Sequence, residues 1–166
     1  IIKGLANGVA NSDQNGAGLN LLNSSLQLIN CAFFDNTSLK DGGAIYCENV
    51  LFTINSCSFT NNLANNGGAI YSYLASAKII KSTFINNHAS NEAGAVFADN
   101  EKLGPDGYYH YSSSDCYQNY FENNTASVSG GALVKKNGQT ATFWVNNVFK
   151  NNNAPEGSSI VVINSI

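Results

Sequence analysis

The chain has 166 residues, 43% of them hydrophobic and only 11% charged, with a formal net charge of −3. This apolar share belongs to a folded chain and excludes disorder, which goes with high charge and few apolar residues. Eight scattered Lys and no Arg leave no basic stripe for nucleic acid, and no apolar run approaches the roughly 18 residues of a membrane-spanning helix.

Read in chain order, two short patterns recur in step. A loose copy of each comes first, in Leu5-Ala6-Asn7-Gly8 and Gly16-Ala17-Gly18-Leu19. Full F-x-x-N copies then run from Phe33 to Asn36, Phe59 to Asn62, Phe84 to Asn87, Phe121 to Asn124 and Phe149 to Asn152. About ten residues after each stands a G-G-A-apolar copy, closing on Ile45, Ile70, Val96 and Leu133, with a loose copy, Gly157-Ser158-Ser159-Ile160, at the end. The closing apolar residues, from Leu19 to Ile160, are spaced 26, 25, 26, 37 and 27 residues apart. A period near 25 is that of a solenoid and is too short for a propeller blade of about 40 residues.

Each period offers three strand-like pieces: the stretch after the glycines (44–47), a β-branched run (50–54, 78–81, 141–145) and a short piece ending at the Phe (57–59). Asn, Ser and Gly mark the corners between them. The expected fold is all-β: a right-handed single-stranded parallel β-helix of about six coils with three short strands per coil, one domain over 1–166. Phe33, Phe59, Phe84, Phe121 and Phe149 are expected to stack inward. Asn36, Asn62, Asn87, Asn124 and Asn152 are expected to bond the backbones of neighbouring coils.

The paired F-x-x-N and G-G-A-[ILV] motifs resemble the repeats of chlamydial polymorphic outer-membrane proteins and similar β-helical surface proteins. The resemblance implies a surface-exposed, adhesin-like β-helix.

Many parallel β-helices cleave polysaccharides, a chemistry that needs a converging carboxylate pair. Here the acids spread over corners and one loop and no Arg is present to hold an acidic substrate, so no enzyme is expected. His88 and His110 are isolated and the four Cys fit no zinc spacing, so neither metal nor cofactor is expected. The spacing of 37 marks an insertion at about 98–117. It is a candidate contact loop, carrying Tyr108, Tyr109, Tyr111 and Tyr117, because Tyr offers contact area and a hydroxyl at low entropic cost; packing of the tyrosines on the outer sheet is the alternative. Asn23, Asn36 and Asn123 begin N-x-S/T sequons. At Asn36 an inward ladder role competes with glycosylation. Cys31 and Cys57 fall two residues before Phe33 and Phe59. Stacked coils about 4.8 Å apart put them inside the Cα window for a disulfide, roughly 4.4–6.8 Å.

The chain has neither Met nor a charged-then-apolar leader, so it is expected to be processed or a piece of something longer. Counted from Ile160 through Ile166 into a second copy as far as its Leu19, the interval is 6 + 19 = 25, the repeat period. The expected function is an extracellular structural unit that joins copies of itself head to tail into a surface filament. The alternative is an adhesin-like cell-surface domain contacting glycans or proteins, with polysaccharide cleavage less favoured.

Overall fold

The computed structural model describes residues 5–6, 15–103, 109–111, 114–137 and 144–163, with side chains for 15–100, 115–137 and 144–163. They form a β-solenoid of parallel sheets with no helix. Each coil has four strands where three were expected. The first sheet follows the glycines and stacks Leu19–Leu22, Ile45–Glu48, Ile70–Tyr73, Val96–Asp99, Leu133–Lys136 and Ile160–Ile163. The second stacks Ser25–Ile29, Leu51–Asn55, Ser76–Ile80, Ser114–Tyr117 and Trp144–Val145. The third carries the Phe residues, in Ala32–Phe34, Ser58–Thr60, Thr83–Ile85, Tyr120–Glu122 and Val148–Lys150. The fourth has only two-residue strands: Leu5–Ala6, Thr37–Ser38, Leu63–Ala64, His88–Ala89 and Thr125–Ala126. With six strands in the first sheet and five in each other, the described solenoid makes about five turns, close to the expected six coils. The fourth strand escaped sequence reading because its inward residue is only Ser or Ala and two residues show no periodicity.

The register is one-to-one. Phe33 pairs with Phe59, Phe59 with Phe84, Phe84 with Phe121 and Phe121 with Phe149. Period 2 along a strand sends these residues inward and their neighbours outward. Their rings stack at 4.8–4.9 Å between centroids, within 3–8° of parallel, through the whole third sheet. The core is completed by the inward apolar residues of the first two sheets, among them Ile45, Ile70, Phe52, Ile54 and Ile79.

Corners explain the Asn-rich composition. Apart from the corner after Asp99, where the insertion leaves the coil, each one turns on a residue of positive φ, between 48° and 65°. Between the first and second sheets these are Asn23, Asn49, Leu74 and Asn137; between the second and third, Asn30, Ser56, Lys81, Gln118 and Asn146. Between the third and fourth they are Asp35, Asn61, Asn86, Asn123 and Asn151. Asn fills most of these places because among residues with a Cβ it best tolerates the left-handed region. The fourth corner uses glycine. Gly42, Gly67 and Gly130 have positive φ, and Ala93 takes the same conformation in the coil where the motif reads A-G-A-V. The second glycine of the motif has another cause. A Cβ on Gly68 would lie 2.2 Å from Gly94 O and 2.5 Å from His88 O, so the backbone of the adjoining coil leaves it no room.

One reading is corrected. Leu5-Ala6 pairs with Thr37-Ser38 in the fourth sheet, so Leu5 does not stand in the Phe column. From Ala6 to Leu19 the chain takes 13 residues where Ser38 to Ile45 takes 7. The count of 25 across two copies assumed a uniform first coil and therefore does not set a register between them.

Candidate contact surfaces

The corner following each Phe is held by a side-chain ladder. Asn62 Nδ2 donates to Phe33 O at 3.2 Å and to Asn87 Oδ1 at 2.9 Å. Asn62 Oδ1 accepts Asn36 N–H at 3.1 Å and Asn36 Nδ2–H at 2.8 Å. Asn87 and Asn124 repeat the arrangement, and Asn152 receives its top rung. Asn62, Asn87 and Asn124 thus each fill both donors and both acceptor sites while buried, which removes the cost of burying an amide.

A second ladder, between the second and third sheets, was not anticipated. The N–H of Cys31 donates to Cys57 Sγ (3.4 Å), that of Cys57 to Ser82 Oγ (3.1 Å), that of Ser82 to Asn119 Oδ1 (2.9 Å) and that of Asn119 to Asn147 Oδ1 (2.9 Å). All five members stand two residues before their Phe. That constant offset was the available signal, hidden because the residue type changes from Cys to Ser to Asn. Cys31 and Cys57 are free thiols in this structure, as are Cys47 and Cys116. Cys47 and Cys116 face inward, and burial pushes each thiol up to about 12.

The outer face of the first sheet carries an aromatic column. Tyr46, Tyr71 and Phe97 stack at 5.5 and 4.9 Å, within 7° of parallel. Val134 and Val161 extend the column on the next two rungs. Above Phe97 the Lys136 ammonium lies 5.4 Å from the ring centroid and pairs with Glu92 at 2.5 Å. Stacking covers the flat faces of these rings and leaves edges outward, so the column packs as structure and offers little face for a sugar. Desolvation raises the Tyr71 hydroxyl far above its ordinary range, in keeping with this covered position.

Carboxylates are tied to neighbours. Glu48 accepts Tyr46 OH, Asp99 accepts Asn137 Nδ2 and Glu122 accepts both Tyr120 OH and Lys150 Nζ. Asp41 Oδ1 accepts the N–H and Nδ2–H of Asn66. His88 Nδ1 lies 2.7 Å from Thr125 Oγ1. Among the described residues no group of three His, Cys, Asp or Glu is placed to hold a metal.

At the corner between the first and second sheets runs a shallow groove of about 390 Å³, lined by Asn23, Asn49, Leu51, Leu74 and their neighbours. Leu22 and Leu51 beside it are exposed. From the same corner, beyond Asp99, the insertion leaves the coil. Asp99 pairs with Tyr73 and Ser114 with Ala77, and the interval between them is 15 residues in one coil and 4 in the other, so 11 are inserted. Glu101–Leu103 and Tyr109–Tyr111 pair antiparallel, with Glu101 opposite Tyr111, forming a hairpin arm. The arm is therefore narrower than 98–117. Tyr117 is not on it: Tyr117 lies on the second sheet between Ile80 and Val145, with Lys78 Nζ 6.0 Å from its ring centroid. Tyr109 and Tyr111 are on the arm's second strand; Tyr108 lies outside the described residues.

The three sequons separate by burial. Asn36 is fully buried in its ladder and its Nδ2 is engaged by Asn62, so the inward role wins there. Asn23 and Asn123 are exposed at positive-φ corners.

A model of the Chlamydia polymorphic membrane protein repeat matches the chain at residues 30–48, 49–73 and 120–134. No curated protein and no solved structure matches it. Each of the three matched segments carries a Phe, its ladder Asn and the glycines that follow, at Phe33, Phe59 and Phe121. The coil between the second and third matches departs from the repeat twice, through Ala93 in the place of the first glycine and through the inserted arm.

Proposed function

We propose that this chain is a stiff structural segment of a cell-surface protein, assembling end to end into a filament and performing no chemistry of its own. The observation that carries this reading is the contrast between inside and outside. The Phe stack and the corner ladders repeat one residue type or one bonding pattern through the coils. Outward columns do not: in the fourth sheet one runs Thr37, Leu63, His88, Thr125, and in the second another runs Gln27, Thr53, Lys78, Asp115. Repetition goes into holding a rod together, and among the described residues no regular chemical lattice faces outward apart from the short aromatic column of the first sheet. The polymorphic membrane protein repeat matched at three places supports a surface location.

Support for stacking comes from the last described rung. Val162 is 51% exposed, although Cys47, Ser72, Ala98 and Lys135 in the same inward column are 5% exposed or less. A further rung laid over Ile160–Ile163, of this chain or of another copy, would bury it and complete the ladder, the behaviour of a strand edge. The test is sedimentation velocity over a wide concentration range at low and high salt. Growing assemblies that persist in high salt are expected of a contact made by backbone bonds and apolar ladders; a monomer at every concentration would contradict the filament.

The hairpin arm favours a second reading, an adhesin-like contact surface. Deleting residues 101–111 separates the two: it leaves assembly intact and abolishes attachment to cells if the arm is the contact element.

A further inference from the structure

Cys31 and Cys57 occupy the same corner of successive coils, next to the pair Ala32 and Ser58 in the third-sheet register. Each thiol lies 3.4 Å from the carbonyl oxygen two residues back, Ile29 O and Asn55 O, so the two side chains hold one orientation a single rung apart. Backbones one rung apart are about 4.8 Å from each other, within the Cα separation of roughly 4.4–6.8 Å that a disulfide spans.

Their place in the fold gives the pair a use. Ser25–Ile29 and Ala32–Phe34, the strands flanking Cys31, lie at the outer ends of the second and third sheets among the described residues. At this corner Cys57, Ser82 and Asn119 donate to Ser82, Asn119 and Asn147 oxygens, whereas the N–H of Cys31 relies on sulfur, a weak acceptor. The thiols therefore sit where the ladder is weakest and where a covalent link adds most.

We propose that Cys31 and Cys57 close into a disulfide under oxidising conditions and latch this outer rung to the next. The oxidant is a small disulfide such as oxidised glutathione. Cys31 is half-buried and Cys57 only 2% exposed, so the small disulfide meets Cys31 first. The Cys31 thiolate attacks it, forming a Cys31–glutathione bond and releasing one glutathione thiolate. The Cys57 thiolate then attacks Cys31 Sγ, the Cys31–glutathione bond breaks, and a second glutathione thiolate leaves. Two protein thiols give up two protons and two electrons, and one oxidised glutathione becomes two reduced ones. Burial holds the Cys57 thiol above its ordinary range, so the closing step quickens as pH rises.

The experiment is incubation of the folded chain with oxidised glutathione, followed by peptide mapping by mass spectrometry and by hydrogen exchange. The expected result is a Cys31–Cys57 linked peptide, Cys47 and Cys116 still alkylatable after unfolding, and slower exchange at residues 32–34 than in the reduced chain. Cys57→Ser reproduces the Ser already present at position 82 of the column; it should hold a glutathione adduct on Cys31 and gain no protection. Should that variant fail to fold, Cys31→Ser serves, with Cys57 remaining unmodified. A lasting adduct on Cys31 in the parent chain, a different pairing, or unreacted thiols would overturn the link. A link that leaves exchange at 32–34 unchanged would overturn the latch.

Discussion

Asn62 and Asn61 are adjacent and identical in type, yet they do different work. Asn62 is buried with all its hydrogen-bonding capacity used by the coils on either side. Asn61 is exposed, has φ of 55° and reaches only Asp35 Oδ1 at 3.2 Å. Asn62→Ala strands the Asn36 and Phe33 backbone groups and should cost about 1–3 kcal/mol in chemical unfolding. Asn61→Gly keeps the left-handed corner and should change stability by less than about 1 kcal/mol. Equal effects from the two would refute the division. Asp41 gives a pH signature. Burial raises its pKa, outweighing the hydrogen bonds from Asn66. A raised folded pKa means that ionisation is harder in the fold. The group's contribution is therefore fully present below its unfolded value, about 3.9, and is lost as pH rises through that value toward the folded one. Asp41→Asn supplies the residue found at positions 15 and 66 of the same corner. Melting temperatures from pH 3 to 7 should show the variant gaining on the parent as pH rises; a gap that narrows with pH would refute the sign.

At the scale of elements, the Phe strand and the glycine turn were readable in the sequence because each repeats a residue type that only one environment explains. Phe at a fixed period implies an inward stack, and Gly-Gly-Ala implies a turn pressed against backbone. The two-residue fourth strand was not readable, since Ser38, Ala64, Ala89 and Ala126 are small, and small residues occur anywhere. The second corner ladder was half visible as two matched cysteines, but Ser82, Asn119 and Asn147 share with them only a role as acceptor. The spacing of 37 falls where the hairpin leaves the coil, and composition drew the insertion too broadly, because Tyr117 belongs to the coil. Two predictions belong here. Gly68→Ala puts a methyl group into the backbone of the next coil and should fail to fold or melt far below the parent in calorimetry. Removing residues 101–111 leaves three residues between Asp99 and Ser114, which matches the Leu74–Ser76 connection in length and closes two strands already in register. That variant should melt within a few degrees of the parent, and a large loss would show that the arm is part of the fold.

For the molecule as a whole, one set of columns accounts for both stability and the proposed task. Each rung is held by the next through backbone bonds, an aromatic stack and corner amides, so the structure has no natural length and its stability is a sum over neighbouring coils. A rod of this type extends by adding rungs, and a further copy over Ile160–Ile163 meets the same backbone pattern as the interior does. The most direct measurement is helical reconstruction from electron micrographs of assembled, concentrated protein. The account predicts filaments one solenoid wide, with rungs about 4.8 Å apart along the filament axis. The axial subunit repeat should be about 24–29 Å, the height of five to six such rungs. Filaments whose strands lie along the axis, or whose subunits meet through the sides of the coils, would contradict it.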